Sequence, residues 1–233
     1  MKITWLGQMG FLLETEGFTL MTDPYLLDTL HETAGERCRR LVPVQERFCD
    51  IRPDAVLISH DHTDHLDLPS LKRILSPERP AAVLSGANAW NKLRQELGGG
   101  HNFVRMLPGV EWSFPKVRVT AIPAIHSDPT AIGFRIEAEG KTVCMTGDTL
   151  YSAEVAAQAA GADVLLLPVN GEGNNMNAAD AARFAAAARA KLAVPGHWGL
   201  LAFTKADPVD FAREAAQYGV PTRVLQVYET MEV

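Results

Sequence analysis

Cysteine is scarce in this chain. Cys38, Cys49 and Cys144 are an odd number among 233 residues and form no Cys-x-x-Cys pair. A disulfide framework and a sulfur-rich zinc module are thereby excluded. Cys144 lies inside the apolar run TVCMTG and is expected to serve as a small buried hydrophobe. Long apolar runs are missing too, since no window reaches the ~18 residues needed to span a bilayer. The opening MKITWLGQMGFLLE is interrupted at Thr4, Gly7 and Gln8 and lacks a signal-peptide pattern. The expectation is a cytoplasmic, reducing setting with no membrane insertion. Positive charge is in deficit, with 22 Lys and Arg against 28 Asp and Glu, a net charge of −6. With no basic run interleaved with aromatics, a nucleic-acid partner is disfavoured. No serine sits in a Gly-x-Ser-x-Gly elbow, and no cysteine lies near the histidine-rich motif, so covalent nucleophilic catalysis has little support.

What is present is a 47% hydrophobic chain whose apolar residues come in short runs. KITWL, GFLLE and FTLMT, punctuated by Gly7, Gly10 and Gly17, predict three opening strands. Residues 25–53 follow with no clean period and predict an irregular excursion. DAVLIS and AAVLSG are continuous apolar runs of buried-strand type, followed by helices over 68–75 and 88–97. The second half repeats that order. Strand-like FVRML, EWSF, VRVTAI, IGFRIEAE and TVCMTG give way to helices at 151–160, 178–190 and 208–217, alternating with strands DVLLLP, KLAVP and TRVLQVY. Two packed sheets with helices outside fit this order best, and a plain doubly wound sheet is second.

The chemistry lies in residues 59–67, SHDHTDHLD, and in what stands at other strand ends. His60 and His62 follow DAVLIS, His126 follows VRVTAI, Asp148 follows TVCMTG, and His197 follows KLAV. In layered α/β proteins, ligand sites gather at such strand exits. In an extended segment His60 and His62 project to the same side, roughly 7 Å apart. Asp64 and His65 lie beyond the turn and can face a second ion. With His126 joining the first pair, His197 the second and Asp148 bridging, seven side chains would hold two divalent ions and leave positions open for water. Nitrogen and oxygen donors suit Mn²⁺, Zn²⁺ or Fe²⁺. Asp64 is the candidate to orient the attacking water and shuttle its proton. Arg40, in the arginine cluster Arg37, Arg39 and Arg40, together with Asn170 and Tyr25, are candidate substrate contacts. His31 and His101 are isolated and expected to face solvent.

In that order, HDHTDH at 60–65, His126, Asp148 and His197 resemble the metallo-β-lactamase-fold hydrolases, with Asp23 matching that superfamily's first motif residue. The resemblance spans the whole chain. It implies one domain over 1–233 in a four-layer αβ/βα sandwich: two mixed sheets face to face, helices on both outer sides, a dinuclear site at one edge. It also implies that Asp23 orients ligating imidazoles. Residues 25–50 would be an active-site insertion. WLGQMGFLL, DPYLLD, RLVP, PVNGEGNNM and PGHWG look most like the branch around L-ascorbate-6-phosphate lactonase, and the HWG element is shared with the N-acyl-phosphatidylethanolamine phospholipase D branch. Many of these relatives carry a histidine where this chain has Gln8. The implied activity is metal-dependent hydrolysis of a small, phosphorylated or plain, lactone or ester. Hydrolysis of a phosphodiester on a small molecule or lipid is the alternative, and a metal-binding module without catalysis the third reading. The lactonase branch favours manganese over zinc and suggests a homo-oligomer.

Overall fold

A computed structural model describes all residues, 1–233. The first sheet contains β1 (Lys2–Gly7), β2 (Gly10–Thr15), β3 (Phe18–Thr22), β4 (Ala55–Ile58), β5 (Ala82–Ser85), β6 (Asn102–Arg105) and β13 (Thr230–Glu232). The second contains β7 (Glu111–Ser113), β8 (Val117–Pro123), β9 (Ile132–Ala138), β10 (Lys141–Met145), β11 (Val164–Pro168) and β12 (Ala193–Gly196). Their orders are β13-β1-β2-β3-β4-β5-β6 and β12-β11-β10-β9-β8-β7. Both are mixed. Strands β13 to β3 and β7 to β10 pair antiparallel, and β3 to β6 and β10 to β12 pair parallel. Parallel pairs need crossovers, which accounts for helices only in the later part of each half.

The helices are α1 (Thr29–Ala34), α2 (Glu46–Cys49), α3 (Leu68–Ile74), α4 (Ala87–Leu97), α5 (Ala153–Gln158), α6 (Ala178–Ala187) and α7 (Pro208–Gln217). None is long and apolar enough to cross a membrane. Asp67, Ser152, Asn177 and Asp207 cap α3, α5, α6 and α7, each accepting a backbone N–H of the first turn.

Alternation along the strands sorts side chains into three apolar layers. Ile3, Trp5, Phe11, Leu13 and Leu57 of the first sheet meet Phe134, Ile136, Val143 and Leu166 of the second in the central layer. Leu12, Val56, Ile58 and Val83 point the other way, onto Leu71, Ala89 and Leu93 of α3 and α4. On the far side, Cys144, Leu165 and Leu167 face Val155, Ala181, Phe184, Ala185 and Phe211 of α5, α6 and α7. Strands buried on both faces cannot show a polar–apolar alternation, so AVLI and VLLLP read as unbroken apolar runs. The four-layer sandwich is the architecture observed. Cys144 is fully buried, and burial pushes its thiol up to about 11.

Two local expectations differ. TRVLQVY is not a strand: after one bridge from Thr222 to Ala193, residues 223–228 are irregular, and the edge strand forms at Thr230–Glu232. The reason is at Tyr228, whose φ is +72° and whose N–H bonds to the Trp5 carbonyl, so the chain turns there before joining β1. Residues 25–53 contain α1, α2 and a 3-10 turn at Glu36–Cys38, and are pinned to the loop after β12 by Leu41 N–H to Leu200 O and Ala202 N–H to Arg39 O.

Candidate metal centre

All the candidate donors emerge at one end of the sandwich. Asp23 follows β3, His60 to His65 follow β4, His126 follows β8, Asp148 follows β10, and His197 follows β12. The backbone is bent sharply to deliver them: Asp23 and His197 have φ of +35° and +60°, in the left-handed region that side chains rarely adopt. Gly147, just before Asp148, is needed twice over. Its φ is +62°, and a Cβ there would stand 2.8 Å from the Ser59 Cβ.

Asp23 organises the first loop. Its Oδ1 accepts the Ser59 N–H at 2.7 Å, and its Oδ2 accepts the Ser59 hydroxyl at 2.6 Å and the His65 Nδ1–H at 2.9 Å. A carboxylate only accepts here, so His65 carries its proton on Nδ1 and offers the Nε2 lone pair. The same reasoning extends one bond further. The single Ser59 hydroxyl proton is spent on Asp23, so Ser59 Oγ accepts from His60 Nδ1 at 2.9 Å. His60 Nε2 is left buried and without a partner. His126 donates Nδ1–H to the Asn174 carbonyl at 3.2 Å and points Nε2 to within 3.2 Å of His62 Nδ1. His62 places its other nitrogen 3.3 Å from Ser127 Oγ.

Two subsites result. His60, His62 and His126 bring one ring nitrogen each within 4.8 Å of one another, and Asp64, His65 and His197 do the same with two nitrogens and a carboxylate oxygen. In the second group, His65 Nε2 and His197 Nε2 are 3.3 Å apart. Asp64 Oδ2 lies 3.6 and 3.3 Å from them, and Asp148 Oδ2 lies 3.4 and 3.3 Å from them. Ligands held at about 2.0–2.1 Å in a tetrahedron stand roughly 3.3 Å from one another, so these separations are the edges of a cation cage.

The electrostatics agree. Burial, with the neighbouring His65, pulls His60 down to about 2, so its ring stays neutral and its Nε2 lone pair unprotonated. Burial works against charge on His197 and His65, yet Asp148 and Asp64 outweigh it, lifting His197 to about 9 and His65 well above the ordinary range. Burial equally opposes ionisation of Asp148 and Asp64, but His197 and His65 hold both carboxyls well below theirs. The cluster thus demands positive charge at its centre. Seven buried side-chain polar atoms in the protein have no partner, and five of them are here: Gln8 Oε1, His60 Nε2, Asp148 Oδ1, Asn170 Oδ1 and Asn175 Oδ1. Each unmet group costs about 1–3 kcal/mol, so such a concentration fits a site built around cations. The residues fit divalent metal ions.

The donors floor a cleft of about 430 Å³ walled by Arg37, Ser127, Asn170, Glu172, Asn174 and Phe203. A larger depression of about 530 Å³, lined by Phe114, Lys116, Arg118 and Glu139, lies at the far end of β10 and has no comparable donor set. Asn170 reaches the cleft, with Nδ2 3.1 Å from His197 Nδ1. Arg40 and Tyr25 do not. Arg40 is 5% exposed, and its guanidinium donates to the carbonyls of Tyr25 and Val42 and to the Tyr228 hydroxyl. Tyr25 is fully buried, its hydroxyl accepting the Leu30 N–H. Both fasten the excursion to the body, and the arginine that reaches the cleft is Arg37, over the Phe203 ring at 5.9 Å. Trp198 is wall packing, 5.0 Å from Trp5. His31 and His101 are half-buried rather than exposed, the former held between Asp28 and Glu36.

Two contributors escaped the sequence reading, and a third, Gln8, stood out there only as the place where many relatives carry a histidine. Ser59 could have been noticed as the strand residue directly before His60. Asn175 donates to Asp148 Oδ2 at 2.7 Å from a loop where only Asn170 stood at a strand exit. Gln8, at φ +47°, donates to Asp64 Oδ2 at 2.8 Å, and its carbonyl accepts the His197 N–H.

Two mixed sheets with such a donor set at one edge define the metallo-β-lactamase class. Residues 24–198 match the family model of the beta-lactamase superfamily domain. Over its full length the chain is 30% identical to a UPF0173 metal-dependent hydrolase of Opitutus terrae, also covered in full. The chain belongs to this superfamily and, within it, to the UPF0173 metal-dependent hydrolase family. Among solved structures, a metallo hydrolase of the archaeon Ignicoccus hospitalis superposes with a TM-score of 0.79 at 24% identity, covering 100% of this chain and 98% of that one. An isothiocyanate hydrolase from Delia radicum gut bacteria gives 0.76 at 17% identity, with 100% and 99% covered. These two show the fold.

Proposed function

We propose that the protein hydrolyses a small, polar ester or lactone, using two divalent cations held by His60, His62 and His126 on one side and by Asp64, His65 and His197 on the other, with Asp148 between. The observation that carries this reading is the convergence of seven donors from four strand exits, with His60 Nε2 and Asp148 Oδ1 buried and unpartnered. Bound cations would supply Lewis acidity, lowering the pKa of water and polarising the scissile carbonyl or phosphoryl oxygen.

The side chains do the rest. Asp64 is the proton carrier. Gln8 holds its Oδ2, and the group is partly open to the cleft, so Oδ1 can take a proton from the attacking water. Ser59 and Asp23 fix the His60 and His65 rings, so no reorientation is required when substrate arrives. Asn170 and Arg37 line the wall against which a substrate's polar groups rest.

Substrate class follows from that wall. Phe203 is the single hydrophobic residue among thirteen lining the cleft, where acyl chains would require many. That supports a compact polar molecule over a lipid. The resemblance to the ascorbate-6-phosphate lactonase branch supports a lactone and manganese. Arg37 supports, as the second reading, a small phosphodiester or a phosphorylated ester. The test is elemental analysis of the purified protein, then a panel of lactones, phosphorylated lactones and phosphodiesters, after chelation and after adding back Mn²⁺ or Zn²⁺. Two equivalents of metal and chelator-sensitive hydrolysis of a polar ester are expected; a protein that binds no divalent ion would end the proposal.

A further inference from the structure

Three carboxamides, Gln8, Asn170 and Asn175, surround the Asp64–His65–His197–Asp148 subsite. Each turns its NH₂ towards its members: Gln8 Nε2 lies 2.8 Å from Asp64 Oδ2 and, more distantly, 3.4 Å from each ring nitrogen of His197, Asn175 Nδ2 2.7 Å from Asp148 Oδ2, and Asn170 Nδ2 3.1 Å from His197 Nδ1. Each leaves its carbonyl oxygen buried with no donor. At the two carboxylates this orientation is forced, because a carboxylate only accepts. At His197 it is not. A ring nitrogen can donate or accept, and amide oxygen and nitrogen differ by a half-turn about one bond.

The other histidines show which way the half-turn should go. The outer nitrogens of His60, His65 and His126 face Ser59 Oγ, Asp23 Oδ2 and the Asn174 carbonyl, all acceptors, so each ring carries its proton outside and its lone pair inside. That of His62 faces the Ser127 hydroxyl, which can also accept. His197 alone faces an amide nitrogen. With that NH₂ donating to Nδ1, the ring proton would sit on Nε2, inside the cage, where a cation needs a lone pair. Rotating the Asn170 amide removes the conflict and gives the stranded Oδ1 a donor.

We propose that Asn170 is a positioning residue whose Oδ1 accepts the Nδ1–H of His197 when the subsite holds a cation, locking the tautomer that presents Nε2 inward. It deepens the metal-dependent reading and rests on it. Asn170 then acts through His197.

The test reads the ring directly. Protein labelled with ¹⁵N-histidine and loaded with Zn²⁺ is examined by long-range ¹H–¹⁵N NMR, with the His197 signals assigned by comparison with His197→Gln. Protonated Nδ1 and zinc-bound Nε2 are expected; protonated Nε2, or zinc on Nδ1, would overturn the proposal. Zn²⁺ affinity, measured by chelator competition, supplies the second readout. Asn170→Ala removes the acceptor and should weaken binding about tenfold. Asn170→Asp, which can only accept, should restore wild-type affinity or better with the same ring signature. An Asp variant as weak as the Ala variant would count against an acceptor role. Circular dichroism and thermal melts confirm that each variant is folded. Failure of the wild type to bind Zn²⁺ would instead strike at the metal-dependent reading itself.

Discussion

The two subsites are built from unlike materials. His60, His62 and His126 offer three neutral nitrogens, and two of the rings are half-exposed at the cleft. Asp64, His65 and His197, with Asp148, add two carboxylates in a more buried setting braced by Gln8, Asn170, Asn175 and Asp23. A cation attracted by two anions in a low-dielectric pocket is held more strongly than one facing three imidazoles near water. The difference teaches a division of labour. On the proposed two-cation reading, the braced subsite should keep its ion the more tightly, and the open subsite should be the one that exchanges ions and receives substrate.

Five variants sharpen or break that contrast. Asp148→Ala, which removes one of the braced subsite's two carboxylates and the one proposed to lie between the two ions, should have the largest effect. Metal content should fall below one equivalent, and kcat/KM on the active ester should drop by roughly 10³-fold or more, the scale of several kcal/mol of lost charge stabilisation. Asp64→Asn comes next. Turnover should fall by about 10²–10⁴-fold, the usual range for a lost general base, while metal analysis shows far less change. Equal losses of metal and rate would make Asp64 a ligand without a proton-transfer role. His126→Ala tests the asymmetry itself: one equivalent should be retained after dialysis against mild chelator and one lost. Loss of both together would erase the distinction between tight and loose subsites.

Stability measurements probe the bracing. Asp23→Ala removes the acceptor for Ser59 N–H, the Ser59 hydroxyl and His65 Nδ1–H, a fully buried network. Urea unfolding of the metal-free protein should show a loss of about 3–5 kcal/mol, as for a broken buried pair. The smallest effect is expected for Tyr25→Phe, which deletes the hydroxyl that accepts the Leu30 N–H. It should cost about 1 kcal/mol and leave KM unchanged, whereas a raised KM would return Tyr25 to the substrate wall.

Much of this was legible in the sequence because the fold and the donors share one rule. Runs such as AVLI and VLLLP announced strands covered on both faces, and every ligand candidate follows the end of a legible strand, whether fully covered like AVLI or alternating like VRVTAIP. What was not legible depends on where a short irregular segment turns. Arg37 and Arg40 stand three residues apart, yet the 3-10 turn at Glu36–Cys38 sends the first to the cleft and the second beneath Tyr228. Nothing in their composition distinguishes them. Likewise, TRVLQVY has strand chemistry, but an edge strand is set by its partner, and β1 pairs instead with residues 230–232. Asn175 was hidden for a further reason: an amide that braces a ligand carries no signature apart from its neighbours in space, and Gln8 was marked only by its contrast with the relatives' histidine.

Residues 60–65 hang from the first sheet, and His126, Asp148 and His197 hang from the second. An ion gripped from both sides, as proposed, would therefore act as a rivet through the rim of the sandwich. Withdrawing it would let the two sheets part at that edge first, so protease cuts in the metal-stripped protein should begin in the loops around the cleft, with the closed far end the last to yield.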